Sequence, residues 1–546
     1  MQGTRSIIVA AALAMLVLLG VPFLTRMRSD TPDAGGRRLI VVTPHVQQIR
    51  EEFAHAFGAW HEREFGEAVS IDYRTPGGTS EIRRQLEAEY RARLAEGRYE
   101  LIPAGDGYEV AMAPGTIGAD LMFGGGSYDH AQIARGVRAT LDTPGGEAEQ
   151  SVPMSIPAGL SEAELAEVFG ENRIGTQALY DPDQSWIGTA LSSFGIVYNR
   201  DVYARLGVEP PASFDDLTDP RLRGWVALAD PRQSGSITTT FDSILGNHGW
   251  GEGWRILREM CGNARYFTNA STKPPADVSS GDAASGLAID FYGRGQAQAV
   301  ADAGDPDRMG YIDPAGEVYI DADPVSILRG GPDPELAQRF LRFILSEPGQ
   351  ALWQFPAATS GDAADNPPGP DGSPMGPERH ELRRMPIRRS MYSSYFEHFR
   401  DKVVPFEIAT DVANPGWRTG VQMMMGCFGI DSAERCRAAW DAIARAGEDD
   451  SFPSDVLGEM RRRFHLFPET PVLSEDGAIV MTPFSEATYS VVRNTWRDPV
   501  RESRLRIAYT AFFRDRYDEI VLMHRKRSIV PMLGGDIAAA MVGTGS

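Results

Sequence analysis

The sequence predicts an α/β protein of two lobes followed by a mainly helical C-terminal extension. Three observations carry that prediction. Short apolar runs alternate with amphipathic stripes from residue 39 to residue 123, the alternation starts again near Gly188, and past residue 377 the pattern turns helical and more basic. Residues 39–42 are an apolar run suited to a buried strand, and Val46, Ile49, Phe53, Ala56 and Trp60 follow at helical spacing. Residues 69–73 alternate as a second strand, and Ile82, Leu86, Tyr90 and Leu94 form an i, i+4 stripe. After an irregular stretch through Pro103 and Pro114, residues 119–123 make a third strand. Strands and helices in this order require a parallel sheet with right-handed crossovers.

The second lobe has strands at 194–198, 225–229, 286–289 and, shorter, 318–320, with a helix carrying Ile237, Phe241 and Leu245. Asp333-Pro334-Glu335 opens a further helix with cap, N1 proline and first-turn acid in order; its stripe of Leu336, Phe340 and Ile344 stops ahead of Pro348. Residues 363–377 are a loop rich in Pro, Gly and Asp. Beyond them Arg383, Arg384, Arg388 and Arg389 cluster; a solvated helix face making ion pairs is favoured over a patch for anionic lipid or a partner. Leu505, Tyr509, Phe512 and Ile520 mark an amphipathic helix near the C-terminus.

Composition narrows the function classes. The 546 residues hold 54 basic and 75 acidic side chains, a net charge of −21, which repels phosphate backbones and excludes nucleic acid as the partner. At about 150 residues per domain this length gives three to four units. Only three cysteines occur, so neither a disulfide-rich scaffold nor a CxxC zinc module fits; Cys427 with Cys436 is the pair to suspect of bridging. From Ile7 to Leu24 the chain is apolar and uncharged, a signal peptide or a membrane anchor, and without a small-x-small cleavage site the anchor is favoured. Enzyme signatures are missing: no G-x-S-x-G elbow, no phosphate-binding P-loop, and His61-Glu62 without a second zinc histidine. No enzyme activity and no cofactor are predicted.

In an open α/β sheet, ligands collect at the carboxyl ends of the strands. The first strand is followed by Pro44-His45, and the second by Thr75, Gly77, Gly78, Thr79 and Ser80, where a hydroxyl-bearing helix start leaves free N–H groups for an anion or caps itself with Thr79 or Ser80. Three glycines after the third strand, ending in Gly125-Gly126-Ser127, let a ligand approach the backbone. In the second lobe Ser234-Gly235-Ser236 repeats the helix-start arrangement, and Asp290 and Tyr292 follow a strand. Two such helix starts, one per lobe, can close on one anionic ligand.

Taken with residues 38–45, Asp120 to Gly126, Phe194 to Asp201, Asp230 to Ser236, Asp323-Pro324-Val325-Ser326 and Phe343 to Gln350, the chain resembles a bacterial ABC-transporter solute-binding protein. The resemblance is to the ferric-iron, polyamine and phosphorylated-solute branch of the type II periplasmic binding proteins. It implies a clamshell whose chain crosses its hinge more than once: residues 1–29 as signal peptide or anchor, 38–187 as the first part of lobe 1, 188–320 as lobe 2, 321–400 returning to lobe 1, and 401–546 as the extension. It also implies a receptor, extracytoplasmic and anchored to the inner membrane by its N-terminal segment, handing a small solute to an ABC permease. The ferric members present adjacent tyrosines where this chain has Phe291-Tyr292, so a ferric site would rest on His45 and Tyr292 alone. A phosphorylated, phosphonate or carboxylate solute is favoured, and no metal is assigned; ferric iron and a sensory or scaffold role on the same fold are the alternatives.

Overall fold

The alternation of apolar residues in β1 (Arg37–Val42) is buried on both faces. Leu39 and Val41 enter one core, Ile40 and Val42 another, as expected for a strand inside a parallel sheet covered by helices on both sides. The computed structural model describes residues 36–105, 107–270, 272–474 and 476–533. The apolar N-terminal run, and with it the signal or anchor reading, lies outside the described residues. Among the described residues no helix is long and apolar enough to cross a membrane.

After β1 the chain runs through α1 (Gln47–Phe65), β2 (Val69–Arg74), α2 (Thr79–Ala95), β3 (Leu121–Phe123) and α3 (Ser127–Arg135). It continues through β4 (Ile187–Asn199), β5 (Val226–Ala229), α4 (Gly235–Gly262, kinked at the non-helical Gly249), β6 (Ala264–Thr268), β7 (Ser285–Ile289), α5 (Asp290–Asp302) and β8 (Ile320–Leu328). The main path of the sheet is β6-β5-β7-β4-β8-β3-β1-β2. Its two ends are parallel: β1 pairs with β2 and β3, and β5 with β6 and β7. Between them β4 and β8 run antiparallel to their neighbours, and β4 belongs to both halves. Its residues 194–198 pair with β7, whereas residues 187–193 pair with β8. The two βαβ halves are therefore welded by two long strands, and the strand ends of both halves open on the region between them.

Sequence periodicity underestimated these two strands. It located residues 194–198 and 318–320, but β4 spans 13 residues and β8 nine. Both are buried along nearly their whole length, so neither shows the alternation that marks a half-exposed strand. Two antiparallel hairpins, 100–104 with 107–111 and 137–143 with 146–152, also lie where no strand was expected. Their largely exposed residues carry little apolar signal.

The helix after β8 is placed as expected. In α6 (Pro334–Leu345) the Asp333 carboxylate accepts the Leu336 N–H at 3.0 Å, and Pro334 sits in the first turn. The helix ends at Leu345, ahead of Pro348 as expected; the extended Ser346 then caps a second helix, α7 (Glu347–Gln354), which carries the proline in its first turn. From α7 the buried Gln350 holds three segments together. Its Nε2 donates to the Thr189 and Ile344 carbonyls, both at 2.8 Å, and its Oε1 accepts from Ile387 and Arg388 N–H groups.

The C-terminal helices α8 (Arg418–Met425), α9 (Ala433–Glu448), α10 (Ser454–His465) and α11 (Pro499–Lys526) share one core with β5 and α4. At its centre Arg258 of α4 is 1% exposed, its guanidinium 4.5 Å from the ring centres of Phe428 and Phe513 and 4.9 Å from that of Phe467. It donates to the Phe464 and Leu466 carbonyls at 2.9 and 2.7 Å. Cation–π contacts and charge-assisted bonds replace a carboxylate partner there. Cys427 and Cys436 are not bridged; they and Cys261 are buried free thiols.

Candidate functional site

Strand ends, helix starts and one non-helical segment converge on a cavity of about 440 Å³ between the two halves of the sheet. That is within the range of small-molecule sites. From the first half it is lined by His45, Gly78, Thr79, Ser80, Gly125 and Gly126; from the second by Ser234, Gly235 and Tyr292. Four other residues expected at the site fall elsewhere, and a fifth, Ser236, has no described side chain to place. Thr75 borders a separate surface pocket beside Arg74 and Glu89. Gly77 is covered by the Glu81 carboxylate, whose Oε2 would be 2.0 Å from a Cβ built there. Ser127 opens α3 and gives its N–H to Asp321 Oδ2 at 3.0 Å, bordering an outer groove instead. Asp290 is fully buried and does not line the cavity, whereas Phe291 and Tyr292 do. Ser236 lies in the first turn of α4, and its side chain is outside the described residues.

The helix starts differ in how they are capped. Gly78, not Thr79 or Ser80, is the N-cap of α2, and no side chain caps that end. Ser234 caps α4, its Oγ accepting the Ile237 N–H at 3.4 Å, a long bond that leaves the hydroxyl partly available. At α3 the positive end is taken by Asp321 and by Asp129, which also receives Arg83 Nε at 2.8 Å. Two helix starts, α2 and α4, are left facing the cavity from opposite sides.

The floor of the cavity is a buried polar cluster. His45 Nε2 lies 2.8 Å from Asp323 Oδ2, the Gly125 N–H donates to Asp323 Oδ1 at 2.6 Å, and Arg384 forms an ion pair with the same carboxylate. Burial, with Arg384 and Arg50 nearby, holds His45 well below its ordinary pKa, so the ring is neutral and Nε2–H is the donor. Two glycines make this packing possible: Gly124 has φ +93° with a Cβ position 2.3 Å from His45 Nε2, and Gly125 has φ +108° with one 2.3 Å from Thr79 Cγ2.

Arg384 was expected on a solvated helix face. It is buried instead, stacked 4.3 Å from the Phe291 ring, and burial lowers its pKa to about 10. The backbone explains why. Arg383 is left-handed (φ 58°) and pairs with Asp401 at 2.5 Å, while Met385 and Pro386 add a short strand to β4. Arg388 and Arg389 also leave the surface face, bonding the Leu345 and Phe169 carbonyls.

Among the further lining residues absent from the sequence expectation are Asp321, Arg84 and Arg418. Burial raises the Asp321 carboxyl to about 6, so it loses most of its charge in mildly acidic conditions. Four lining residues carry buried polar atoms without a hydrogen-bond partner among the described residues: His45 Nδ1, Ser192 Oγ, Asp321 Oδ1 and Arg384 Nε. Such atoms are costly unless something polar engages them. Among the described residues no group of three His, Cys, Asp or Glu side chains is arranged to hold a metal ion.

Residues 160–376 match the family model described as bacterial extracellular solute-binding protein. The chain resembles bacterial extracellular solute-binding proteins. That family is one of binding proteins, not enzymes. The phosphoglycerate transport regulatory protein PgtC of Salmonella typhimurium is 27% identical over 189 residues, 33% of this chain and 45% of that protein. An uncharacterized protein of Haemophilus influenzae is 29% identical over 170 residues, 31% of this chain and 46% of that one. The matched stretches thus span under half the length of either relative. Among solved structures, the periplasmic binding protein AfuA of Actinobacillus pleuropneumoniae with fructose-6-phosphate is 19% identical, covering 57% of this chain and 81% of its own at a TM-score of 0.40. Iron-bound HitA of Pseudomonas aeruginosa is 16% identical, covering 71% and 98% at a TM-score of 0.45. TM-scores this low say nothing of the ligand.

Proposed function

We propose that the chain is an extracytoplasmic solute-binding receptor that captures a small anionic solute (a phosphorylated, phosphonate or carboxylate compound) and hands it to an ABC permease, with its N-terminal apolar run as the membrane tether. The observation that carries this reading is the pair of helix starts, α2 and α4, facing one cavity from opposite halves beside guanidinium groups. Amides at a helix start and the dipole behind them favour an anion there. A ligand touching both halves stabilises the closed arrangement more than the open one, so closure about β4 and β8 is a shift in population toward the state the permease reads. The phosphoglycerate transport named for the Salmonella relative supports the same ligand class.

Ferric iron has less support. The Nε2 of His45 is engaged by Asp323, and burial pushes the Tyr292 phenol upward, away from the phenolate that iron needs. Thermal-shift measurements against phosphate esters, phosphonates, polyamines and ferric citrate decide between the ligands. A phosphorylated or carboxylate compound at 100 times its Kd adds about 2.7 kcal/mol of stability. A rise with ferric citrate alone, or with polyamines alone, overturns the anion reading.

A further inference from the structure

Arg418 enters the cleft from a part of the chain that the family match does not reach. It opens α8, and that helix start is pinned on α4, because the Gly416 and Trp417 N–H groups donate to Asp242 at 3.2 and 2.8 Å. From there its guanidinium donates to the Thr239 hydroxyl and, at 2.9 Å, to the Gly235 carbonyl, both at the start of α4. The same group lies 4.7 Å from the ring centre of Tyr128, which belongs to α3 in the opposite half. Its partners are neutral, and among the described residues it forms no ion pair, although its charge is felt by Asp242 and Asp321.

Across the mouth stands a second guanidinium of the same kind. Arg84 of α2 donates Nε to the Ser80 carbonyl at 3.2 Å and, among the described residues, also makes no ion pair. In a chain of net charge −21, where most arginines find carboxylates, two guanidinium groups that form no ion pair among the described residues line one cavity from opposite sides, with the Glu81, Asp129 and Asp321 carboxylates also in its wall. Both also border a larger outer groove of about 1330 Å³ that continues from the cavity. Planar guanidinium forks suit the paired oxygens of phosphate or carboxylate.

We infer that Arg418 is a ligand-contacting residue that holds an anionic group of the solute against Arg84 at the cleft mouth, so that the C-terminal region is part of the binding site. This rests on the proposed anion reading. The neutral bonds to Thr239 and Gly235 orient the fork, and the solute supplies the negative oxygens it lacks.

Isothermal titration of the full-length chain with 3-phosphoglycerate, fructose 6-phosphate and inorganic phosphate tests it, alongside Arg418→Ala, Arg418→Lys and Arg497→Ala. The last removes a charge that borders only the outer groove. Arg418→Ala weakens binding of the tightest probe about 10- to 100-fold, Arg418→Lys recovers part of that loss, and Arg497→Ala leaves Kd within about twofold. Arg418→Gln replaces the Ala variant if circular dichroism shows the latter misfolded. Wild-type affinity in the Ala or Gln variant overturns this inference alone. An equal loss in Arg497→Ala assigns the effect to the general field and also overturns it. A wild-type chain that binds none of the three probes overturns the anion reading and this inference together.

Discussion

The floor and the mouth of the cleft use the same residue types to different ends. At the floor, Asp323 gathers His45, the Gly125 N–H and Arg384 into a cluster in which each charge is met within the protein. At the mouth, Arg84 and Arg418 are bonded, among the described residues, only to neutral oxygens. A charge satisfied internally holds the fold and contributes little free attraction to a ligand. A charge held in place but unneutralised is available for recognition. On the proposed reading, the floor therefore governs stability and the mouth governs affinity.

The most severe way to break that comparison is Asp323→Ala. It leaves Arg384 buried without its partner, at a cost of about 3–5 kcal/mol measurable by chemical denaturation; a loss below about 1 kcal/mol would show that the floor is not structural. Gly125→Ala comes next, because a left-handed backbone meeting Thr79 at 2.3 Å forces strain of about 1–3 kcal/mol, read as a lower Tm. Arg84→Ala reverses the pattern. Stability stays within about 0.5 kcal/mol while Kd for 3-phosphoglycerate rises about tenfold.

A pH titration sharpens the contrast further. Burial raises Asp321 to about 6, above the ordinary aspartate value of about 3.9. A carboxyl raised in this way contributes stability that is complete below its unfolded pKa and is lost as pH rises through about 6. Its negative charge also opposes an anion in the cavity, so affinity strengthens from pH 7 to pH 5. Asp242, raised to about 6, and Asp290, raised to about 7, titrate nearby, again because of burial. Asp321→Asn should therefore flatten the part of the affinity profile that belongs to the cavity and leave the remainder; an unchanged profile would remove Asp321 from the site. Smallest of all is the response to reductant. With Cys261, Cys427 and Cys436 buried as free thiols, dithiothreitol leaves Tm where it was.

Legibility followed the range of the interactions. The strand-end loops bearing His45, Thr79, Gly125, Ser234 and Tyr292 could be found because each follows an apolar run, and all five line the cavity. Asp321 escaped notice because β8 enters antiparallel, so the cavity meets residues near its beginning rather than its end. Arg384 looked like one charge in a basic cluster. Only the Arg383 turn and the Gln350 bonds aim it inward.

The sequence by itself determined the α/β grammar, the acidic surface, the helix-start loops and the resemblance to binding proteins, because these depend on local periodicity, capping and composition. Tertiary structure alone decided which charges are spent and which are free. Arg384 and Asp323 stand 61 positions apart in the numbering and cancel in the floor. Arg84 and Arg418 stand 334 positions apart and, among the described residues, form no ion pair at the mouth. A guanidinium has the same chemistry at all these positions; its role depends on whether folding brings a carboxylate within reach, and local sequence carries no record of that.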